Sequence, residues 1–391
     1  MNDVFIVEAR RTPFGSFGGV LSDISAPEMA SQVMADLLRR SQIPAEAIDE
    51  VIVGQVLQGG CGQAPARQAM RRAGLPDGVH AMTINKVCGS GLKAIMLAAD
   101  TIRLGDANSV IAGGMESMSL APYALPALRT GQRMGHAQAL DLMIYDALQD
   151  PYSGRHMGEI TETWVERHGL TREDQDQYAA RSYRLAQAAV AAGVFADELT
   201  PVTKSSRKGD ITIDQDEEPG RGSIDKLPGL RPAFKKDGTI TAGNASTIND
   251  GAAFVLVCSK QAMERHSLKP IARLVAAATN SLAPDDFAEA PIGAIQRAVA
   301  RAGLTLADID LFEINEAFAA VPLVAIRELG IDADKVNVNG GAVAIGHPVG
   351  ASGARLAVTL IRELRARQLR YGVASLCIGG GEAVAAVFEC C

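Results

Sequence analysis

Residues 43–53, IPAEAIDEVIV, and residues 304–314, LTLADIDLFEI, are two versions of one segment. In both, a short helix-like stretch leads into an Ile-Asp pair, and a run of mostly apolar residues follows the pair. Ile48 and Ile309, which open the two pairs, are separated by an offset of 261 positions. Similarity at a fixed offset is the sequence signature of duplicated structural units.

A second match lies at nearly the same distance. Ser90 opens an apolar, helix-like run that extends to Leu104, and Ser352 opens another that extends to about Leu364; both serines precede a glycine, and their offset is 262. Each match pairs a helix-like run with a β-branched apolar run, as in α/β units whose sheet is buried on both faces. The sequence therefore predicts an α/β fold of two similar halves.

An insertion separates two strands of the first half. The second half ends in VASLCIGGGEAVAAVFEC, two apolar runs joined by a glycine turn, whereas the matching runs SVIAGGMES and NDGAAFVLVCS are far apart in the sequence. Long excursions from a rigid scaffold commonly carry binding function. We therefore predict three units: an N-terminal core half (1–118 plus 249–268), an inserted loop domain over the active site (119–248) and a C-terminal core half (269–391).

The composition excludes several classes of function. With 391 residues, 47% of them hydrophobic, the chain can bury a large core. Its formal net charge is −7, and no basic run suited to a nucleic acid or a membrane surface is present. The start, MNDVFIVEARRTPFG, resembles no signal or transit peptide, so we expect a cytoplasmic protein. Six cysteines without CxxC spacing indicate reduced thiols, and we expect neither a metal site nor a secreted disulfide framework.

Cys88 is the first candidate for catalysis. It lies in NKVCGSGLK, residues 85–93, directly before a predicted helix, where backbone N–H groups and the helix dipole lower the pKa of a thiol. A buried structural cysteine is the alternative for this residue taken alone. The glycines on either side of Ser90 favour chemistry, because they allow another molecule to approach the backbone closely.

Three further candidates lie at predicted element ends in the second half. Asn315 follows the strand-like LFEI, His347 precedes a proline and a predicted helix, and Cys377 comes before three glycines at the end of a strand-like run. A turn-forming asparagine or a buried histidine is the structural alternative for each alone. We expect the three to meet, because α/β sheets present their sites at strand ends. A thiol with an activating base serves acyl transfer through a thioester, and a second acid/base removes an α-proton when a carbon–carbon bond forms.

At these residues the sequence resembles the thiolase family. VCGSGLKA, GNAS followed by NDGAA, NEAFA, GGAVAIGHPVGASGAR and CIGGG occur in the family's order and at nearly its spacing. The resemblance implies the five-layer αβαβα thiolase fold of two similar halves, with residues 119–248 as its loop domain. It also implies coenzyme A thioesters as substrates, no bound prosthetic group and no metal. Assembly as a dimer or tetramer is implied as well, and residues 120–142 are a candidate contact.

The same resemblance implies catalytic roles. Cys88 resembles the nucleophile that accepts the acyl group, and His347 resembles the base that activates it and donates to the thioester oxygen of the second substrate. Asn315 would hold a water that completes this first oxyanion hole. Cys377 resembles the acid/base that takes the α-proton of the second acetyl-CoA. The backbone N–H groups of Cys88 and Gly379 would form a second oxyanion hole over the acyl-enzyme.

Substrate-binding residues follow from the resemblance too. Ser246 resembles a residue that meets the pantetheine amide. The other candidates are walls of the acyl pocket and channel, or contacts to the CoA phosphates: His156, Met157, Phe234 and Phe318 for the walls, and Arg221 and Lys226 for the phosphates. A core role is the alternative for Met157, and a solvated surface role is the alternative for the two basic residues. Phe287 and Glu382 depart from the family pattern, which has a methionine in many short-chain members and a neutral residue, respectively.

The resemblance thus implies the activity of an acetyl-CoA C-acetyltransferase. It would condense two acetyl-CoA molecules to acetoacetyl-CoA and CoA, or run the reverse thiolysis, through an S-acetyl-Cys88 intermediate. A broader-range 3-ketoacyl-CoA thiolase of fatty-acid β-oxidation is the alternative within the family. A condensing enzyme that acts on carrier proteins predicts no second catalytic cysteine, and Cys377 argues against it. A catalytically silent acyl-CoA-binding subunit has no physical reason to retain both cysteines with His347 and Asn315.

Overall fold

Strands and helices alternate along both halves of the chain in the computed structural model, which describes residues 3–206 and 209–391. The strands are β1 (Val4–Arg11), β2 (Gly15–Ser16), β3 (Glu50–Gly54), β4 (His80–Ile84), β5 (Ser109–Ser117), β6 (Tyr123–Ala124), β7 (Leu140–Asp141), β8 (Val202–Ser206), β9 (Gly209–Ile213), β10 (Asn249–Ser259), β11 (Ala272–Ser281), β12 (Leu311–Ile314), β13 (Tyr371–Ile378) and β14 (Glu382–Cys390). The α-helices are α1 (Ala26–Ser41), α2 (Pro65–Arg72), α3 (Ser90–Leu104), α4 (Met157–His168), α5 (Arg172–Ala191), α6 (Lys260–His266), α7 (Ala290–Arg301), α8 (Ala320–Leu329), α9 (Ala342–Ile345) and α10 (Val349–Ala366). Residues 1 and 2 of the predicted N-terminal half, and 207 and 208 of the predicted loop domain, lie outside the described residues.

One mixed sheet contains the strands of both halves, in the order β12-β13-β14-β11-β1-β10-β5-β3-β4, and β2 pairs with β10. In the first half, β3 is parallel to β4 and β5, β5 is antiparallel to β10, and β10 is antiparallel to β1. The second half repeats these directions, since β12 is parallel to β13, β13 is antiparallel to β14, and β14 is antiparallel to β11. In the second half, a parallel bridge between Phe312 and Val336 occupies the position that the β3–β4 pairing has in the first half. The predicted duplication is confirmed in strand order and direction.

The repeated Ile-Asp pair has the same role in both halves. The Asp49 carboxylate accepts hydrogen bonds from two backbone N–H groups at the start of β5, at 2.7 and 3.0 Å. The Asp310 carboxylate accepts from two backbone N–H groups at the start of β13, at 2.9 and 2.8 Å. Each aspartate therefore ties the turn before one strand to the beginning of the parallel strand beside it.

Helices α3 and α10 lie between the two halves of the sheet. Their apolar side chains share one core with strands of both halves, including Val255 of β10 and Leu376 of β13. Helices α1 and α2 cover the other face of the first half, and α7 and α8 cover the other face of the second. The layers therefore follow the predicted order αβαβα.

Gly91 and Gly353, the glycines of the repeated Ser-Gly pairs, allow α3 and α10 to pack in close contact. A Cβ atom on Gly91 would lie 2.8 Å from the backbone nitrogen of Ala354, and one on Gly353 would lie 2.5 Å from that of Leu92. Neither space accepts a side chain, so only glycine fits there. The second repeat found in the sequence is thus a packing requirement at the centre of the molecule.

Between β5 and β10 the chain leaves the central sheet. This segment contains β6 to β9, a π-helix over Met143–Leu148, and α4 and α5. Thr171 and Asp174 form a capping box at the start of α5, because the side chain of each accepts a hydrogen bond from the backbone N–H of the other. Apolar side chains of α5 pack against α9, and those of α4 pack against the second half. Across 3–206 and 209–391, no helix has the length and apolar character needed to span a membrane.

Candidate active site

The ends of several strands meet at one cavity of about 860 Å³, measured with its open mouth. Cys88 lies in the loop between β4 and α3, His347 lies just before α10, and Cys377 lies near the end of β13. These three residues and Gly379 line the cavity. Asn315, which follows β12, is fully buried, is not part of this lining, and lies two residues before the cavity residue Ala317.

The turn that presents Cys88 is strained and held by Ser90. Val87 has a φ of +46°, a left-handed conformation that a β-branched residue rarely adopts. The Ser90 hydroxyl accepts from the Lys86 backbone N–H at 2.8 Å and donates to the Val87 carbonyl at 2.7 Å. The Asn85 side chain accepts from the Val87 N–H at 2.9 Å. These bonds stabilise a turn that directs the cysteine toward the cavity.

The environment of the Cys88 thiol differs from the expectation. Burial raises the pKa of this thiol to about 11, although the backbone N–H groups of Gly379 and of Cys88 itself favour the thiolate. The prediction that the helix start lowers the pKa of Cys88 is therefore wrong for the free protein, because the effect of desolvation on the pKa is larger than that of the backbone donors. A base must accept the proton when Cys88 reacts.

His347 has the geometry of that base. The Ser352 hydroxyl donates to the Pro348 carbonyl at 3.0 Å and therefore accepts from His347 Nδ1–H at 2.6 Å. This assignment, made from the hydrogen-bond network, leaves Nε2 with a free lone pair, and Nε2 is buried without a hydrogen-bond partner among the described residues. Burial, together with the charge of Arg355, lowers the pKa of the imidazole to about 3. The ring is therefore neutral at physiological pH. The Asn249 side-chain oxygen accepts from the His347 backbone N–H at 2.8 Å and helps to hold the residue.

Asn315 and Cys377 are the other two residues of the predicted group. The Oδ1 and Nδ2 atoms of Asn315 are buried, and neither has a hydrogen-bond partner within the described part of the chain. Buried polar atoms are costly unless they bind something, which suits the water that the resemblance assigns to this residue. Cys377 is only 1% exposed. Burial, and then the neighbouring sulfur of Cys88, raise the pKa of the Cys377 thiol far above its ordinary value.

Aromatic and apolar side chains form the walls of the cavity. Phe318 meets Phe234 and Phe287 edge-on, with ring centroids 6.2 and 6.4 Å apart. Phe287, which departs from the family pattern, thus lies in the wall itself. All the residues predicted for the walls and the pantetheine contact line the cavity: His156, Met157, Phe234, Ser246 and Phe318.

The two predicted phosphate contacts lie apart from the cavity lining. Arg221 and Lys226 are both exposed, and Arg221 forms an ion pair with Glu217 at 3.3 Å. Glu382, the other departure from the family pattern, also lies outside the lining and pairs with Lys86. Over residues 3–206 and 209–391, no three His, Cys, Asp or Glu side chains converge as metal ligands would.

Three side chains to which the sequence analysis assigned no role support the site: Ser352, Asn249 and Glu116. The buried Glu116 carboxylate accepts from three backbone N–H groups at 2.9 to 3.1 Å, one of which belongs to Gly350 at the start of α10. Burial raises the pKa of Glu116 to about 7. Ser352 was detectable as the counterpart of Ser90 in the repeat, since each serine anchors the turn of one reacting group. Asn249 and Glu116 had no comparable signal.

Comparisons with known proteins identify one family. Residues 4–261 match the family described as thiolase, N-terminal domain, and residues 268–390 match thiolase, C-terminal domain. A protein named acetyl-CoA acetyltransferase from Pseudomonas aeruginosa is 52% identical over 98% of both chains. One of the same name from Escherichia coli is 48% identical over 100% of this chain and 99% of its own. The crystal structure of the Bacillus anthracis acetyl-CoA acetyltransferase has a TM-score of 0.97 and 42% identity, and the match covers 100% of this chain and 99% of that one.

Proposed function

Because the chain belongs to the thiolase family, we propose that this cavity condenses two acetyl-CoA molecules to acetoacetyl-CoA and CoA, and catalyses the reverse thiolysis. The chain is an acetyl-CoA acetyltransferase, in keeping with full-length relatives of that name at 48% to 52% identity. The observation that carries the assignment of residues is that Cys88, His347 and Cys377 line a single cavity.

In the first half-reaction Cys88 takes the acetyl group. His347 Nε2 accepts the thiol proton as the sulfur attacks the thioester carbonyl, and the backbone N–H groups of Cys88 and Gly379 donate to the oxyanion that forms. The carbon–sulfur bond to CoA then breaks. The departing CoA thiolate takes the proton of Cys377, whose thiol is protonated because burial raises its pKa. This leaves S-acetyl-Cys88, free CoA, a Cys377 thiolate and a protonated His347.

In the second half-reaction the new carbon–carbon bond forms. The Cys377 thiolate takes the α-proton of the second acetyl-CoA, while His347 Nε2–H and a water held by Asn315 donate to the enolate oxygen. The α-carbon attacks the carbonyl of S-acetyl-Cys88, and the carbon–sulfur bond to Cys88 breaks. The released Cys88 thiolate recovers the proton from His347, which restores the resting enzyme.

Residues of the inserted segment support substrate binding. We assign the channel walls to His156, Met157, Phe234 and Phe318 and the pantetheine contact to Ser246, on the support of their place in the cavity lining. We assign Arg221 and Lys226 to the CoA phosphates, because both side chains are positively charged and exposed.

Mass spectrometry of the Cys88 peptide after incubation with acetyl-CoA tests the proposal. We expect an added acetyl mass on Cys88 in the wild type and, more slowly formed, in Cys377→Ala, and none in Cys88→Ala. Cys377→Ala should retain acetylation but lose condensation, because it lacks the group that takes the α-proton. Absence of acetyl from Cys88 in the wild type would refute the proposed mechanism.

Chain-length preference separates this activity from that of a broader-range 3-ketoacyl-CoA thiolase. Leu148 and Met157 bound the cavity on the side of the inserted segment, which supports a short acyl group. We expect kcat/KM in thiolysis to be higher for acetoacetyl-CoA than for 3-ketodecanoyl-CoA. The opposite order would establish the broader enzyme.

The unit boundaries, assembly and location are further parts of the proposal. We propose core halves at 1–118 plus 249–268 and at 269–391, with 119–248 as the loop domain. The excursion of the chain between β5 and β10 supports this division.

We propose a dimer or tetramer, because segment 120–142 exposes large apolar side chains, namely Leu120, Tyr123, Leu125, Leu128 and Met134. Light scattering of the purified protein checks the assembly. The proposed enzyme acts in the cytoplasm without a prosthetic group.

A further inference from the structure

An ion pair outside the cavity joins the loop that carries Cys88 to the strand that follows the glycine turn after Cys377. Lys86, two residues before Cys88, donates through Nζ to the carboxylate of Glu382, the first residue of β14. The Ser281 hydroxyl donates to the other carboxylate oxygen of Glu382 at 3.3 Å. The side chains are 22% exposed for Lys86 and 37% exposed for Glu382, so solvent and salt reach the pair.

We propose that Lys86 and Glu382 are positioning residues for the reaction, which hold the backbone N–H of Gly379 in place beside Cys88. Neither residue lines the cavity, so Lys86 acts through the loop that carries Cys88 and Glu382 acts through the glycine turn before it. The inference rests on the proposed function, because it concerns the oxyanion donors of the acyl-transfer step.

The turn between β13 and β14 has no side chains of its own to hold it. It consists of Gly379, Gly380 and Gly381, and the last two have φ values of +90° and +92°. Three successive glycines have wide conformational freedom and offer no side chain through which neighbours can fix them. The Gly381 carbonyl accepts a hydrogen bond from the Leu282 backbone N–H at 2.7 Å. Glu382 is the first side chain after the turn, and through it the turn is tied to the loop that carries Cys88.

The loop on the other side of the ion pair is rigid by comparison. The Ser90 hydroxyl bonds to the backbone of both Lys86 and Val87, and the Gly89 N–H donates to the Lys86 carbonyl at 3.0 Å. Gly89 also packs tightly on the strand before the glycine turn, since a Cβ there would lie 2.4 Å from Ile378 Cδ1. The ion pair therefore ties the glycine turn to a loop that its own hydrogen bonds hold.

The consequence for catalysis concerns the Gly379 donor. Complete loss of one oxyanion donor typically lowers kcat by about 10² to 10³. A partly exposed ion pair contributes far less, so a donor that is only loosened should lower kcat by about fivefold. Because neither Lys86 nor Glu382 lines the cavity, KM should change little.

Steady-state kinetics of Glu382→Gln, Lys86→Met, the double variant and the charge swap Lys86→Glu/Glu382→Lys test the inference. Lys204→Met is the matched control, because Lys204 forms an ion pair with Asp23 at 2.7 Å, its side chain is 21% exposed, and neither residue lines the cavity. Each variant is assayed in thiolysis of acetoacetyl-CoA at low salt and at about 1 M NaCl, where charges are screened beyond about 3 Å. Melting temperature and acetylation of Cys88 are measured on the same samples.

We expect each single variant to lower kcat by about fivefold with KM within about twofold, the double variant to be no worse than either, and the swap to recover most of the activity. Salt should lower the kcat of the wild type and of Lys204→Met toward that of Glu382→Gln, which salt should not change. Unchanged kcat in Glu382→Gln, or additive losses in the double variant, would overturn the inference while acetylation of wild-type Cys88 leaves the proposed function standing. If wild-type Cys88 takes no acetyl group, both fail.

Discussion

Substitution Ser352→Ala probes the link between a buried hydroxyl and the base of the reaction. In the native protein the Ser352 hydroxyl gives its one hydrogen to the Pro348 carbonyl and accepts from His347 Nδ1–H, so the Nε2 lone pair faces the cavity. Ser352 is 1% exposed, and alanine offers no acceptor in its place. The buried Nδ1–H would then have no hydrogen-bond partner, and the ring would favour the other tautomer, which cannot accept the proton of Cys88.

The expected magnitude follows from the cost of an unsatisfied buried donor. Such a group costs about 1–3 kcal/mol, and a middle value of about 2 kcal/mol corresponds to about a thirtyfold fall in kcat. KM for acetoacetyl-CoA should stay within about twofold, since Ser352 does not line the cavity. Ser352→Thr retains a hydroxyl and should recover most of kcat even if the extra methyl lowers the melting temperature.

The assay is the initial rate of acetoacetyl-CoA thiolysis. Ser31→Ala is the matched control, because it also removes a buried hydroxyl that donates to a backbone carbonyl, at 2.7 Å in α1, far from the imidazole. Wild-type kcat in Ser352→Ala would refute the tautomer assignment. An equal loss of kcat in the threonine variant would show that packing, and not the hydroxyl, matters at this position.

Three other predictions follow from the same geometry. Because burial raises the pKa of the Cys88 thiol to about 11, its alkylation by iodoacetamide should accelerate about tenfold per pH unit from pH 7 to 10; a plateau below pH 9, read by mass spectrometry, would contradict this. Met157 borders both the reactive cavity and a second groove near Tyr152, so Met157→Ala should raise kcat/KM for 3-ketohexanoyl-CoA relative to acetoacetyl-CoA, and an unchanged ratio would count against a dividing wall there. The buried Glu316 carboxylate accepts hydrogen bonds from four donors, and in Glu316→Gln two of these donors would face an amide N–H. Calorimetry should therefore show a lower melting temperature and a free energy of unfolding that is smaller by about 3 kcal/mol. Wild-type stability would show that the network tolerates a neutral partner.

Much of the fold was predictable because its signals are local. These signals are the apolar periodicity, the glycine turns and the repeated Ile-Asp and Ser-Gly pairs. Each lies within a short segment and reflects what one strand, turn or helix crossing requires of its residues. The duplication was visible because both halves must meet the same demands, as Asp49 and Asp310 do at the starts of β5 and β13. For the same reason the positions of Cys88, His347 and Cys377 at element ends were predicted correctly from their neighbours in the sequence.

The order of the residues specifies which chemical groups are present and where along strands and helices they lie. The protonation and the partners of these groups depend on folding, because both are set by residues from distant parts of the chain. The pKa of Cys88 depends on how completely protein replaces water around its sulfur, and the balance between that desolvation and the Gly379 donor is set by a segment from the other half of the chain. The ion pair of Lys86 with Glu382 likewise forms only on folding, because nothing in the sequence around one residue indicates that the distant other residue will lie beside it.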